Sequence, residues 1–193
     1  MPEDPLFTED QLELIEALVP FRCTEGYNEV ASLMFTDAGD AIRQLFHLHK
    51  HAFSTGALLL FFTSYISLAV VTYGIAVPSG LFVPSLLSGA AFGRLFGNLA
   101  HKLYPDLAFS NTYALVGAAA VLGGMARMTI SLTVILLECT GNEQFVLPLM
   151  LSLMTARLTG SLFNEDLYHI HIHFKKGVQF LEAELRSITR HHK

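Results

Sequence analysis

The sequence is poor in the residues that cover the surface of a soluble domain. It has no tryptophan and only two cysteines, and charged residues make up 15% of its 193 positions. Soluble domains usually reach about 25% charged residues, whereas apolar residues reach 52% here. Two cysteines exclude a disulfide scaffold, the apolar content excludes a disordered chain, and the net charge of −5 argues against a nucleic-acid partner. The composition favours a membrane protein.

The few charges are segregated along the chain. Residues 1–21 contain six acidic residues and no lysine or arginine, and residues 51–93 contain no Asp, Glu, Lys or Arg. Basic residues dominate from residue 174 onward. Because Lys and Arg favour the cytosolic side of a membrane, we expect an acidic luminal or extracellular loop over 1–26, a membrane region over 27–173 and a basic cytosolic tail over 174–193. An acidic N-terminus does not predict a signal peptide.

Helical spacing of apolar residues predicts a helix over 27–48, interrupted near an Asp-Ala-Gly-Asp run. The uncharged stretch Ala57–Val77 is long enough to cross about 30 Å of hydrocarbon. Shorter apolar segments follow later in the chain. We expect one over 112–122 that ends at Gly123-Gly124, one over 126–139, a turn at Gly141-Asn142, and a helix over 143–160.

A break interrupts the longest apolar region. Pro78, Gly80 and Pro84 fall within seven residues and predict the end of one helix and the start of the next, with Pro84 in the first turn and the new helix reaching about Leu103. Broken backbone at membrane depth is tolerated only where protein buries it or where it lines a polar pathway. Small residues then recur every four positions, which predicts close packing against another helix; they are Ser85, Gly89, Gly93 and Gly97.

These segments together predict an all-α, polytopic membrane protein with tilted and broken half-length helices, a pattern typical of transporters. Four charged residues in the apolar region are expected at helix ends, where they reach headgroups or backbone carbonyls; they are Arg94, Arg127, Glu138 and Arg157. A functional role for each of them is the alternative.

The chain resembles the CLC family of chloride channels and chloride/proton exchangers. The strongest match is Gly80-Leu81-Phe82-Val83-Pro84, the family's G-x-F-x-P motif, which extends to Arg94. Further matches are 21–35, 115–142 and 163–172, in the family's order and spacing. The amino-acid sequence of these motifs is most similar to that of the lysosomal and endosomal branch of the family. Motifs of the family's first half, including its gating glutamate, and the CBS domains are not found, so the resemblance implies the second part of an inverted-repeat CLC fold.

The resemblance implies a chloride site. The family coordinates chloride through backbone amides that correspond to Leu81, Phe82 and Val83, and through a tyrosine hydroxyl that corresponds to Tyr168. Interfacial or core packing is the alternative role for Phe82 and Tyr168. The family also implies homodimerisation through about 126–160, chloride and protons as transported ions, and an intracellular endosomal, lysosomal or vacuolar membrane.

The expected function is therefore chloride transport, as a voltage-gated channel or a chloride/proton antiporter, with this chain a fragment that supplies part of the anion pathway. The alternative is a non-transporting fragment that only assembles with a full-length partner. We expect no enzymatic activity, no cofactor besides bound chloride and no resident metal. A weaker alternative is metal binding by histidines at alternating positions; they are His47, His49 and His51, and His169, His171 and His173.

Overall fold

The computed structural model describes Leu18 and residues 27–48, 53–75, 79–103, 110–141, 143–164 and 167–174. Within these ranges the chain is helical and contains no strand, so the all-α prediction is confirmed. The α-helices, in chain order, are α1 (Glu29–Phe35), α2 (Ala38–His47), α3 (Thr55–Gly74), α4 (Phe82–Leu103), α5 (Ser110–Ala126), α6 (Ile130–Thr140), α7 (Val146–Phe163) and α8 (Leu167–Phe174). A 3₁₀ turn, Glu143–Phe145, precedes α7.

Two helices occupy the region where one was predicted over 27–48. The side chain of Asn28 accepts from the amide of Ala31 at the start of α1, and the Asp37 carboxylate accepts from the amide of Gly39 at 3.1 Å at the start of α2. Both are N-cap contacts. Asp37 therefore begins a new helix instead of continuing the first, and the single-helix prediction is wrong.

The predicted break separates α3 from α4. Helix α3 starts at Thr55, two residues before the predicted Ala57, and ends at Gly74; Val77 and Pro78 lie outside the described residues. The Ser54 hydroxyl accepts from the amide of Ala57 at 3.4 Å and caps α3. Helix α4 runs from Phe82 to Leu103 and carries Pro84 in its first turn.

Helices α4 and α5 pack through glycine. A Cβ on Gly93 would lie 2.1 Å from the carbonyl oxygen of Tyr113, and one on Gly89 would lie 2.8 Å from the Cα of Ala118. As the residue number rises along α4 it falls along α5, so the two helices run antiparallel. Gly97 is also buried. Without side chains at this crossing the two backbones come into direct contact, which places α5 in the centre of the fold.

The predicted helix end at Gly123-Gly124 is wrong, because α5 continues through both glycines to Ala126. A Cβ on Gly123 would lie 2.5 Å from Cδ2 of Leu153 in α7. A Cβ on Gly160 of α7 would lie 3.1 Å from the carbonyl oxygen of Gly124. These glycines therefore serve the contact between α5 and α7 and do not end the helix.

Helix α6 is shorter than the predicted 126–139. Residues 127–129 are not helical, and Arg127 has a positive φ of 53°, which is rare for a residue other than glycine. The helix begins at Ile130 and ends at Gly141, whose φ of 61° is the left-handed C-cap conformation. Helix α7 follows the 3₁₀ turn and extends to Phe163, three residues past the predicted end.

In the part of the chain that the structure describes, two stretches are long and apolar enough to cross a membrane, by length and composition. They are Thr55–Tyr73, with a mean hydropathy of 1.8, and Val146–His171, with a mean hydropathy of 1.4. Apolar side chains on α3 and α7 are exposed, including Leu68, Val70 and Leu147. Thr112–Ala126 and Ile130–Thr140 are apolar but shorter. Long and half-length apolar helices thus occur together, as the broken-helix prediction requires.

Candidate anion site

The start of α4 presents unpaired backbone amides. The amides of Leu81, Phe82 and Val83 make no hydrogen bond to any residue that the structure describes. Pro84 has no N–H to offer. The first amide to join the helical ladder is that of Ser85, which donates to the carbonyl of Leu81 at 3.2 Å.

No side chain among the described residues caps this helix end. The Ser85 hydroxyl donates to the carbonyls of Leu81 and Phe82, so it stabilises its own helix and does not accept from the free amides. By contrast, α1, α2 and α3 are capped by Asn28, Asp37 and Ser54. Helices α6 and α7, like α4, have no side-chain cap. A helix N-terminus carries roughly half a positive charge, and at α4 this charge is not offset by a capping oxygen.

A cleft of about 220 Å³ lies between the end of α3 and this helix start. Among the described residues its polar groups are hydroxyls and backbone, and none of those that line it is Asp, Glu, Lys, Arg or His. A Cβ on Gly80 would meet no atom within 4 Å, so the approach to the amides is open on that side. The lining residues are Tyr65, Leu68, Ala69, Thr72, Tyr73, Ser79, Gly80, Leu81 and Pro84.

The structure places the predicted chloride ligands at two places in the fold. Leu81 is half-buried and Phe82 and Val83 are each 41% exposed, all at the start of α4. Tyr168 is in α8 and is 52% exposed. The three amides lie side by side, and no hydrogen bond within the described residues joins Tyr168 to them.

A cross-helix contact nevertheless anchors α8 beside the cleft. The Tyr73 hydroxyl and His171 Nε2 are 2.6 Å apart, and their rings are 5.5 Å apart. Tyr73 lines the cleft. Tyr168 precedes His171 by three residues, so both lie on the same side of α8. Sequence analysis missed this pair, because no periodicity connects residues 98 positions apart.

Arg94 does not lie at a helix end, which corrects the expectation for that residue. It lies within α4, its side chain is fully buried, and its guanidinium donates to the carbonyls of Gln44, Leu45 and Leu48 at 2.7–3.1 Å. These carbonyls form the C-terminal end of α2, where a cation is favoured. The guanidinium also lies 5.2 Å from the ring centroid of Phe53. Arg94 therefore has a structural role, which is to hold α2 against α4.

The other three charged residues of the apolar region lie in different surroundings. Arg127 donates to the carbonyls of Gly160, at 3.0 Å, and of Asn164, which are at the C-terminal end of α7. Glu138 is exposed near the end of α6. Arg157 is exposed within α7, six residues before its end, so it is not at a helix terminus.

The described residues contain no group of three His, Cys, Asp or Glu side chains that could hold a metal. His47 is exposed at the end of α2, and His171 contacts Tyr73. His49 and His51 lie outside the described residues. The metal-binding alternative therefore gains no support from this part of the chain.

The fold and the site define a helical scaffold of long and half-length apolar helices in which one helix begins with uncapped backbone amides. The family model described as voltage gated chloride channel matches residues 13–161. This match covers most of the chain, and the chain belongs to that family.

Known proteins resemble this chain over most of its length. H(+)/Cl(-) exchange transporter 7 of Mus musculus is 44% identical over 88% of the chain and 21% of its own length. Chloride channel protein CLC-b of Arabidopsis thaliana is 44% identical over 88% of the chain and 22% of its own length. A crystal structure of a eukaryotic CLC transporter aligns with 69% of the chain at 34% identity and a TM-score of 0.62, using 24% of that structure. The chain thus spans about a fifth of the curated relatives that it matches.

Proposed function

We propose that this chain forms part of the anion pathway of a CLC chloride/proton exchanger. The observation that carries the proposal is the uncapped start of α4. The amides of Leu81, Phe82 and Val83 have no hydrogen-bond partner among the described residues, and Leu81 and Pro84 line a cleft whose described lining residues carry no charge. The mouse relative is named as an H(+)/Cl(-) exchange transporter, which supports chloride and protons as the transported ions. Channel activity is the other mode that occurs among the relatives' names.

The chemistry of the site suits an ion that must leave as well as bind. A helix N-terminus attracts an anion through several amides and roughly half a unit of charge. A lysine or arginine in the same place would hold chloride more tightly, whereas conduction requires weak binding. The hydroxyls of Thr72, Tyr73 and Ser79 add only neutral donors to the cleft.

Tyr168 is proposed as a further chloride ligand on the family pattern. Its hydroxyl is a neutral donor, and α8 is held next to the cleft through His171 and Tyr73. In the complete protein we expect α8 to turn this hydroxyl toward the ion. Core or interfacial packing remains the alternative role of its ring.

The remaining expectations belong to the same proposal. The chain would lie in an intracellular endosomal, lysosomal or vacuolar membrane, cross it several times, and pair with a second copy through about 126–160. Exposed apolar side chains on α6, such as Ile130 and Val134, support contact with lipid or with that copy. We propose a transport function without enzymatic activity, and bound chloride instead of a resident cofactor.

The amide site is tested by a matched pair of variants. Phe82→Pro removes one amide donor at the helix position that best accepts proline, whereas Phe82→Leu removes the ring and keeps the amide. Line broadening of ³⁵Cl NMR by the detergent-solubilised chain measures chloride binding. We expect Phe82→Pro to weaken binding about tenfold or more, since a hydrogen bond to a charged group is lost, and Phe82→Leu to change it little. Equal affinities for both variants would contradict the proposal.

Transport by the chain alone separates the leading function from the alternative of an assembly-only fragment. Because the chain matches about a fifth of its relatives, we expect chloride efflux from liposomes that contain it to stay at background. Robust efflux would show that this stretch alone forms a complete pathway. Association with a full-length relative without any chloride binding to the start of α4 would favour the assembly-only fragment.

A further inference from the structure

A second cavity, of about 600 Å³, opens near the point where α5 ends. Arginine and histidine side chains from three parts of the chain converge on it: Arg127 from the α5–α6 connection, Arg157 from α7 and His169 from α8. Met154 and Leu158 of α7 form an apolar wall and are 51% and 64% exposed. The cavity therefore combines a cationic side with an apolar side.

Arg127 is held in place on one side of this cavity. One terminal nitrogen, Nη2, donates to the carbonyls of Gly160 and Asn164. The other terminal nitrogen, Nη1, makes no hydrogen bond to any described residue. The guanidinium is thus oriented by α7 and keeps donor capacity for a ligand, which is the arrangement that lowers the entropic cost of binding.

Arg157 supplies the second cation. It is exposed and makes no hydrogen bond or ion pair with a residue that the structure describes. Unlike Arg94 and Arg127, it serves no helix end. An arginine within a predicted membrane-spanning stretch is costly unless it has a function or reaches a polar group.

We propose that this cavity binds the phosphate group of an anionic ligand between Arg127 and Arg157. Guanidinium groups match phosphate oxygens through paired N–H donors. The volume far exceeds the roughly 30 Å³ of one water, so the cavity accepts a group larger than chloride. Two full cationic charges also hold an anion too tightly for a conduction step, which separates this site from the uncapped start of α4. A lipid headgroup, which the apolar wall favours, and a soluble phosphate are the two sources of this group that the test separates.

The test uses the purified full chain in neutral detergent and isothermal titration with three probes. Dihexanoyl phosphatidic acid represents a lipid phosphate, inorganic phosphate represents the soluble source, and dihexanoyl glycerol is the uncharged match. Arg157→Gln is the main variant, because Arg157 supports no helix end and its loss should leave the fold intact. Arg43→Gln, at an exposed position on α2, removes the same charge elsewhere. Circular dichroism checks that both variants are folded.

We expect saturable binding of a phosphate probe. Arg157→Gln should weaken this binding about tenfold or more, because each charged hydrogen bond contributes about 1.5–3 kcal/mol. Arg43→Gln should leave the affinity unchanged. Binding of the phosphatidic acid alone identifies a lipid headgroup, and equal binding of inorganic phosphate identifies a soluble source. The proposal is overturned by absence of saturable binding, by equal loss in the two variants, or by equal affinity for dihexanoyl glycerol.

Discussion

Gly93→Ala should destabilise the chain, although alanine is the better helix former. The added Cβ would lie 2.1 Å from the carbonyl oxygen of Tyr113 and 3.0 Å from the Cα of Gly117. Both neighbours are backbone atoms of α5, so no flexible side chain can move aside. Relief requires α4 and α5 to separate along their antiparallel crossing.

The expected size follows from two opposing terms. Overpacking of a tight interior costs about 1–3 kcal/mol, and contact with rigid backbone places Gly93→Ala at the upper end. Alanine in place of glycine stabilises the helix by about 1 kcal/mol through its higher helix propensity. The net loss of unfolding free energy is then about 2 kcal/mol, which corresponds to roughly 4–8 °C in Tm for a chain of this size.

Thermal unfolding in detergent, followed by circular dichroism at 222 nm, measures this loss without a tryptophan signal, which the chain lacks. Gly56→Ala is the matched control, because a Cβ there would lie 3.8 Å from the Ser54 hydroxyl, an ordinary contact. Gly56→Ala should keep or raise the Tm. A Gly93→Ala protein as stable as the Gly56→Ala protein would refute the close-packing argument for α4 and α5.

Three further changes separate the roles of individual residues. Arg94→Met should lower the free energy of unfolding by about 3 kcal/mol, because three buried carbonyls lose a donor and each loss costs roughly 1 kcal/mol or more. Thermal unfolding of this variant, compared with that of Arg43→Met, checks the value. Gly123→Ala should cost less than Gly93→Ala, because the added Cβ meets the tip of Leu153, which can rotate; equal Tm losses would contradict this order. Tyr168→Phe, at the matching position of a full-length exchanger, should alter chloride binding or coupling measured by flux, and unchanged values would remove Tyr168 from the site.

Helix starts and ends could be predicted from the sequence where one short motif determines them. Pro84 and the residues before it indicated the start of α4, and the helix does run to Leu103. Proline removes a donor and fixes φ at that one position, so no distant residue is needed. Gly141 likewise indicated a helix end, and it adopts the left-handed C-cap.

Features that depend on partners distant in sequence could not be predicted in the same way. Gly123 looks like a helix end in isolation, yet it lies inside α5 because Leu153 packs against it. Arg94 looks like an interfacial charge, yet it is buried because the end of α2 supplies acceptors. The Tyr73–His171 contact is of the same kind. Propensity and spacing describe only neighbours in sequence, whereas these positions are decided by tertiary contacts.

The hydrogen-bond partners of the helix ends also bear on the candidate site. The carbonyl ends of α2 and α7 are each satisfied by a buried or half-buried arginine, Arg94 and Arg127. The amide ends of α1, α2 and α3 are satisfied by side-chain oxygens, whereas those of α6 and α7 have no side-chain cap. Only the start of α4 combines uncapped amides with a proline in its first turn and a bordering cleft among the described residues. Unsatisfied backbone groups are costly in an apolar medium, so the uncapped amides at the start of α4 require an acceptor from outside the described residues. Under the proposed function an anion meets that need beside the cleft, so the start of α4, more than any single side chain, is where we expect that anion to bind.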